Sequence, residues 1–207
     1  ISPFNNDFNN SPLLLNYPID EGCVGSVFVH NPGAVDPDGD SLAYELDKSR
    51  TYNGEIADGY FLPPASNSIT VDPISGDLIW DSPTQNGSFN VAMRIKEYRN
   101  GILLGYILRD IQVDVINCNN APPRITLREN HCVTANEVLS FNVNAFDPDV
   151  ESSKNRVQLT SSGIAYNGTN NATFVEPSIA RDVNGTFVWI PNCDRVRVSK
   201  YNFLFKA

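Results

Sequence analysis

Apolar and polar positions alternate over short stretches of this chain. Phe89, Val91, Met93 and Ile95 alternate with polar partners, the period-two pattern of a strand with one face inward. Leu42–Leu46 alternates in the same way, and Ile102–Ile116 reads as a long strand. Between the two longer strands lies Arg99-Asn100-Gly101, whose Asn-Gly pair predicts a hairpin turn. Leu13–Leu15, Val27–His30, Ser68–Val71 and Leu78–Trp80 predict shorter strands. Residues 47–66 hold Gly54, Gly59 and Pro63-Pro64 and predict a long irregular loop. Residues 1–11 are polar and Asn-rich, a linker or the tail of a preceding domain.

The pattern then repeats. Asn9, Cys23, Asp36 and Trp80 recur as Asn119, Cys132, Asp147 and Trp189, at offsets of 110, 109, 111 and 109. One spacing held across four unlike landmarks indicates a tandem duplication. The units are expected at 12–118 and 119–207. In the second, Arg124–Leu127, Leu139–Val143, Arg156–Leu159, Phe187–Trp189 and Tyr201–Phe205 read as strands. A counterpart of the long strand Ile102–Ile116 is missing before Ala207. The expectation is that unit two leans on something outside this chain, because an open edge there invites aggregation.

A unit near 110 residues can bury its own core. Helix formers are scarce, while Asn, Ser, Thr, Val, Ile and aromatics are plentiful, as in short strands joined by polar loops. The formal net charge of −9 argues against nucleic acid and anionic membranes as partners and favours divalent cations. No apolar run approaches a membrane span. The chain opens on Ile1 without a signal peptide and is read as a piece of a longer protein.

Asp36, Asp38 and Asp40 alternate along a loop that Pro37 stiffens and Gly39 lets turn. Carboxylates this close repel unless a cation sits among them, and Ca2+ takes six to eight hard oxygens. Against that stands a solvated turn in which Asp caps its own backbone. The start of the loop has EF-hand spacing, but Ser41 replaces the required Gly and Leu42–Leu46 is strand-like. Asp36–Tyr44 and Asn119-Asn120-Ala121-Pro122 instead resemble the Asp-x-Asp loop and linker of cadherin-like and dystroglycan-type cadherin-like domains. Thr70–Gly87 is similar to a passage of bacterial putative-Ig repeats. The resemblance implies an all-β fold of two tandem immunoglobulin/cadherin-like β-sandwiches, the second lacking its last strand. It implies Ca2+ as cofactor. The site between the repeats would use Asn119, Asn120, Asp147 and Asp149, with Glu151 as a further ligand. Asp36, Asp38 and Asp40 would face whatever precedes unit one, with Asp7 as helper and Glu97 as an outside candidate. The chain departs from cadherins where Cys118 and Asn119 replace linker acids.

Four cysteines allow three pairings, and sequence alone does not choose. In an immunoglobulin-like topology Cys23 with Cys118, and Cys132 with Cys193, need little chain travel. Each bridge would contribute roughly 4 kcal/mol on the chain-entropy account. Four reduced, buried cysteines are the alternative. Zinc is disfavoured, because there is no Cys-x-x-Cys and there are only two histidines.

Cys23–Asp40, Trp80–Gln85 and Glu97–Asp110 resemble large Bacteroidota surface proteins of the gliding-motility-associated, type IX secretion cargo type. That implies an exported, non-enzymatic stalk or adhesin at the cell surface. Its partners would be other domains of the same long protein, surface glycans or proteins, or a secretion or motility complex. No His-Glu-x-x-His, Gly-x-Ser-x-Gly or phosphate loop is present. The sequence leaves two alternatives. One is a carbohydrate-binding accessory module of a secreted hydrolase, with Tyr52, Tyr60 and Phe61 as its aromatics. The other is a cargo or accessory region of a secretion or motility complex.

Overall fold

A computed structural model describes residues 9–127, 130–149, 156–197 and 200–207. The chain divides into two compact units, Ile1–Asn117 and Cys118–Ala207.

Unit one begins with β1 (Leu13–Leu14), β2 (Ile19–Cys23), β3 (Phe28–His30), β4 (Ala34–Val35) and β5 (Ser41–Asp47). It continues with β6 (Ile69–Val71), β7 (Leu78–Trp80), β8 (Gly87–Arg99) and β9 (Ile102–Ile116). The two larger sheets have the orders β2-β9-β8-β5 and β3-β7-β6, and β1 pairs with β4 in a small ladder of its own. β2 runs parallel to β9 and the remaining pairs are antiparallel. This is the two-sheet arrangement of an immunoglobulin-like sandwich. Asn100 and Gly101 both take positive φ, 52° and 79°, as the tight hairpin turn between twisted strands requires.

Alternation builds the core. Val91, Met93 and Ile95 of β8 are buried against Ile111, Val113 and Val115 of β9 and against Phe28, Leu78 and Trp80 of the opposite sheet. The Trp80 ring meets Phe89 edge-on at 5.4 Å, and its indole N–H donates to the Pro64 carbonyl at 3.3 Å. Buried His30 faces Asp20, Nδ1 to carboxylate 3.1 Å.

Unit two contains β10 (Arg124–Thr126), β11 (Leu139–Phe146), β12 (Thr160–Gly163), β13 (Thr173–Val175), β14 (Asp182–Trp189) and β15 (Phe203–Lys206). Its sheets have the orders β10-β11-β14-β13 and β12-β15. Phe141, Phe187, Phe203 and Phe205 stack and interlock between them. Trp189 is buried, and its indole N–H donates to the Asn170 carbonyl at 3.0 Å. Both repeat-equivalent tryptophans are therefore core residues that spend their one polar group on a loop carbonyl.

Three sequence expectations need correction. The strand expected at Arg156–Leu159 lies later, at Thr160–Gly163, where the backbone pairs with Phe203–Lys206, while Val157 makes a single bridge to Ala180. Beside β9 the structure adds β2, which a run of Ile-Asp-Glu-Gly-Cys without alternation did not announce. The third concerns the cysteines. Cys23 and Cys118 are disulfide-bonded, but Cys132 and Cys193 are exposed free thiols. Cys23 lies opposite Ile116 in the β2–β9 ladder, two residues before Cys118. In unit two it is Asn136 that meets the 191–193 segment. Its N–H donates to the Pro191 carbonyl at 2.6 Å, and its amide lies 3.9 Å from Cys193 Sγ. No helix among the described residues is long and apolar enough to cross a membrane.

Candidate metal centre

The loop between β4 and β5 gathers Asp36, Asp38 and Asp40, with one oxygen of each within 4.8 Å of the others. Gly39 takes φ +85°, a conformation that costs glycine little. Asp36 Oδ1 accepts the N–H groups of Asp38 and Asp40, both at 2.9 Å. The backbone-capping reading of the loop is thus correct for this one oxygen. Asp36 Oδ2 is buried with no hydrogen-bond partner.

Glu97 supplies a fourth carboxylate. It follows Val91, Met93 and Ile95 at the end of the inward row of β8 and is only 3% exposed. The β8–β9 register shifts between Glu97 and Tyr98, an irregularity of the kind that re-aims a side chain. Glu97 Oε1 is also buried without a partner. Burial, then the charges of Asp36 and Asp40, raise the Glu97 pKa, while a hydrogen bond with Asn9 opposes the rise. Asp36 is raised as well, first by burial and then by Asp40 and Asp38, against its two backbone hydrogen bonds. Two buried acids, each with a raised pKa and one oxygen without a hydrogen-bond partner, thus lie beside the Asp38 and Asp40 carboxylates.

The remaining oxygens are taken. Asp38 accepts the Asn10 N–H at 2.6 Å and the Asn10 amide at 2.9 Å. Asp40 is held by both prongs of the Arg99 guanidinium, at 2.8 and 2.6 Å. The same Arg99 Nη2 reaches Asn9 Oδ1 at 2.9 Å and Asp38 at 3.6 Å. The Asp36, Asp38, Asp40 and Glu97 carboxylates and the Asn9 amide oxygen are hard oxygen donors, the type of ligand that Ca2+ takes.

Unit two repeats part of this framework among the described residues. Asp147 is buried, and its Oδ1 accepts the Asp149 N–H at 2.9 Å. Asp149 Oδ2 accepts the Ala121 N–H at 2.9 Å. Asn119 and Asn120 are exposed, and the Asn120 amide donates to the Ala121 carbonyl. Glu151, like Asp7, lies outside the described residues. Among the described residues, only the unit-one loop brings three carboxylates together.

Sequence reading placed Asp36, Asp38 and Asp40 together and kept Glu97 at the margin. The Val91-Met93-Ile95-Glu97 alternation could have moved Glu97 into the site. Arg99 was read only as a turn residue. Of the three aromatics proposed for sugar stacking, Tyr52 and Phe61 are exposed, while the Tyr60 hydroxyl donates to the Asn90 carbonyl at 3.3 Å.

No protein-family model and no curated protein matches the chain. Among solved structures it is similar to the N-terminal four Ig domains of Dscam1 isoform 9.44, with 10% identity and a TM-score of 0.27 over 91% of this chain and 40% of that one. It is also similar to a protocadherin gammaB7 EC3-6 cis-dimer structure, with 12% identity and a TM-score of 0.30 over 95% of this chain and 47% of that one. The chain spans less than half the length of either.

Proposed function

We propose that this chain is a non-enzymatic, exported structural or adhesive repeat region of a surface protein, and that its first unit binds Ca2+ through Asp36, Asp38, Asp40 and Glu97. The observation that carries the metal reading is the pair of buried, unpartnered oxygens, Asp36 Oδ2 and Glu97 Oε1, beside a cluster of three carboxylates. A buried carboxylate oxygen left without a partner costs free energy that a bound cation recovers. Because Asn9 and Asn10 bond into the same cluster, an ion there would also fix the segment leading into unit one. The duplication, with matching Asp-x-Asp turns and matching buried tryptophans, supports a repeated structural module. The exported, bacterial-surface part of the reading is supported by the sequence resemblance and by the Cys23–Cys118 disulfide, since disulfides persist in oxidising compartments.

Thermal unfolding in calcium against chelator tests the metal. A rise in Tm with calcium that is abolished by Asp36→Asn supports it, and an unchanged Tm removes it. A second reading, a glycan-binding module, is favoured only by the exposure of Tyr52 and Phe61 on the 47–66 loop. A glycan array without hits eliminates that reading.

A further inference from the structure

We propose that Arg99 is the intrinsic counter-cation of the Asp36–Asp38–Asp40–Glu97 cluster, and that a divalent ion binds there by displacing its guanidinium from Asp40. The proposal rests on the calcium reading above and adds what sets the affinity of the site. Asp36 Oδ1 is committed to two backbone N–H groups, and Asp38 to Asn10. Both Asp40 oxygens are committed to Arg99. Within the cluster, among the described residues, only Asp36 Oδ2 and Glu97 Oε1 are buried without a partner, and two oxygens fall well short of the six to eight that Ca2+ takes.

An incoming ion must therefore take oxygens from existing partners. The backbone N–H groups form the turn itself, and the Asn10 N–H ties the leading segment to it. Arg99 differs from both. It carries a positive charge that a divalent ion would repel at close range, and it lies at the end of β8 beside the hairpin turn, partly open to solvent. A guanidinium released into water keeps its hydration, whereas a released buried backbone group does not. Arg99 is thus the partner that gives way at least cost. Its grip on Asp40 opposes ion uptake, and its charge holds the cluster together when calcium is scarce.

Calcium titration calorimetry on the whole chain distinguishes the outcomes, with wild type, Arg99→Gln and Asp36→Asn compared. Arg99→Gln is expected to bind calcium about tenfold more tightly than wild type, since one competing unit charge is removed, while Asp36→Asn loses binding. In chelator Arg99→Gln should melt below wild type, and calcium should close the gap. If wild type binds but Arg99→Gln binds equally or more weakly, Arg99 only props Asp40 in place, and this proposal is overturned while the calcium site stands. If neither wild type nor Arg99→Gln binds, the calcium reading itself fails and takes the proposal with it. Should Arg99→Gln not fold, Arg99→Lys keeps the charge without the two-pronged grip. Tighter binding by that variant supports displacement, and equal or weaker binding overturns it.

Discussion

Asp38 accepts the backbone N–H of Asn10 at 2.6 Å, and its repeat equivalent Asp149 accepts that of Ala121 at 2.9 Å. The second acid of each Asp-x-Asp turn therefore pins the segment that leads into its own unit. The first acid, Asp36 or Asp147, holds the turn's own backbone. These two tasks explain why the acids recur even where a third carboxylate is not described.

From this, Asp149→Ala should destabilise unit two by about 1–2 kcal/mol, the usual loss for a charge-assisted hydrogen bond to a backbone donor. Asp149→Asn, which keeps one acceptor oxygen, should lose less. Urea unfolding reads both. An unshifted midpoint for Asp149→Ala would mean that the tie contributes nothing.

Two glycines mark places where a backbone must lie flat against an aromatic ring. Gly76 takes φ +80°, and a Cβ there would sit 2.7–2.9 Å from the Tyr44 ring. A Cβ on Gly185 would overlap the Phe174 ring. Gly76→Ala combines backbone strain with a clash and should cost about 2–3 kcal/mol. Gly185→Ala meets a clash alone, but in an aromatic core whose rings leave little room to retreat. Gly54→Ala, with φ +84° and open space around it, isolates the strain contribution and should be milder than either. Chemical denaturation of the three variants checks that ranking.

Legibility in the sequence followed burial. β7 and β9 were placed with their observed ends, and β8 was found although it is longer. One inward face and one wet face leave a period-two record in β8. β2 left no such record, because a short edge strand that pairs through its backbone needs no alternation. The edge strand β13 of unit two was missed because three residues are too few for a period to register, although Phe174 alone of the three packs inward. At the site, the three aspartates were visible because they are adjacent in sequence. Glu97 and Arg99 come from a strand about 60 residues away, and what brings them there is the β5–β8 register that sets Leu42 opposite Glu97. Pairing register is a tertiary property that local pattern does not encode. The cysteines make the same point, since the expected topology put both pairs within short chain travel and only Cys23 and Cys118 are bridged.

The thiol count follows directly. Native protein treated with a thiol reagent should report two reactive groups, Cys132 and Cys193, which are exposed. Cys132→Ser together with Cys193→Ser should bring the count to zero with little change in stability, as surface substitutions usually do. Cys23→Ser with Cys118→Ser should instead lower stability by about 4–5 kcal/mol, the chain-entropy value for so long a loop. A native count of zero would show that a second bridge forms after all.

Tyr44 gives the fold a signature at high pH. Its side chain is buried in the first core, and burial, with a smaller contribution from the charge of Asp77, pushes its pKa up to about 12. In the unfolded chain a tyrosine titrates near 10. The folded state therefore disfavours the phenolate. The contribution of Tyr44 to stability is fully present below pH 10 and falls as pH rises from there through about 12. The two-unit difference corresponds to about 2–3 kcal/mol lost above that window. Tyr44→Phe has no proton to lose, so it should be less sensitive to alkali than wild type, by that amount, between pH 10 and 12. The difference between the two proteins is the quantity to follow, because lysines and other tyrosines titrate in both. Parallel alkaline unfolding curves for wild type and Tyr44→Phe would show that the phenol does not oppose ionisation in the core.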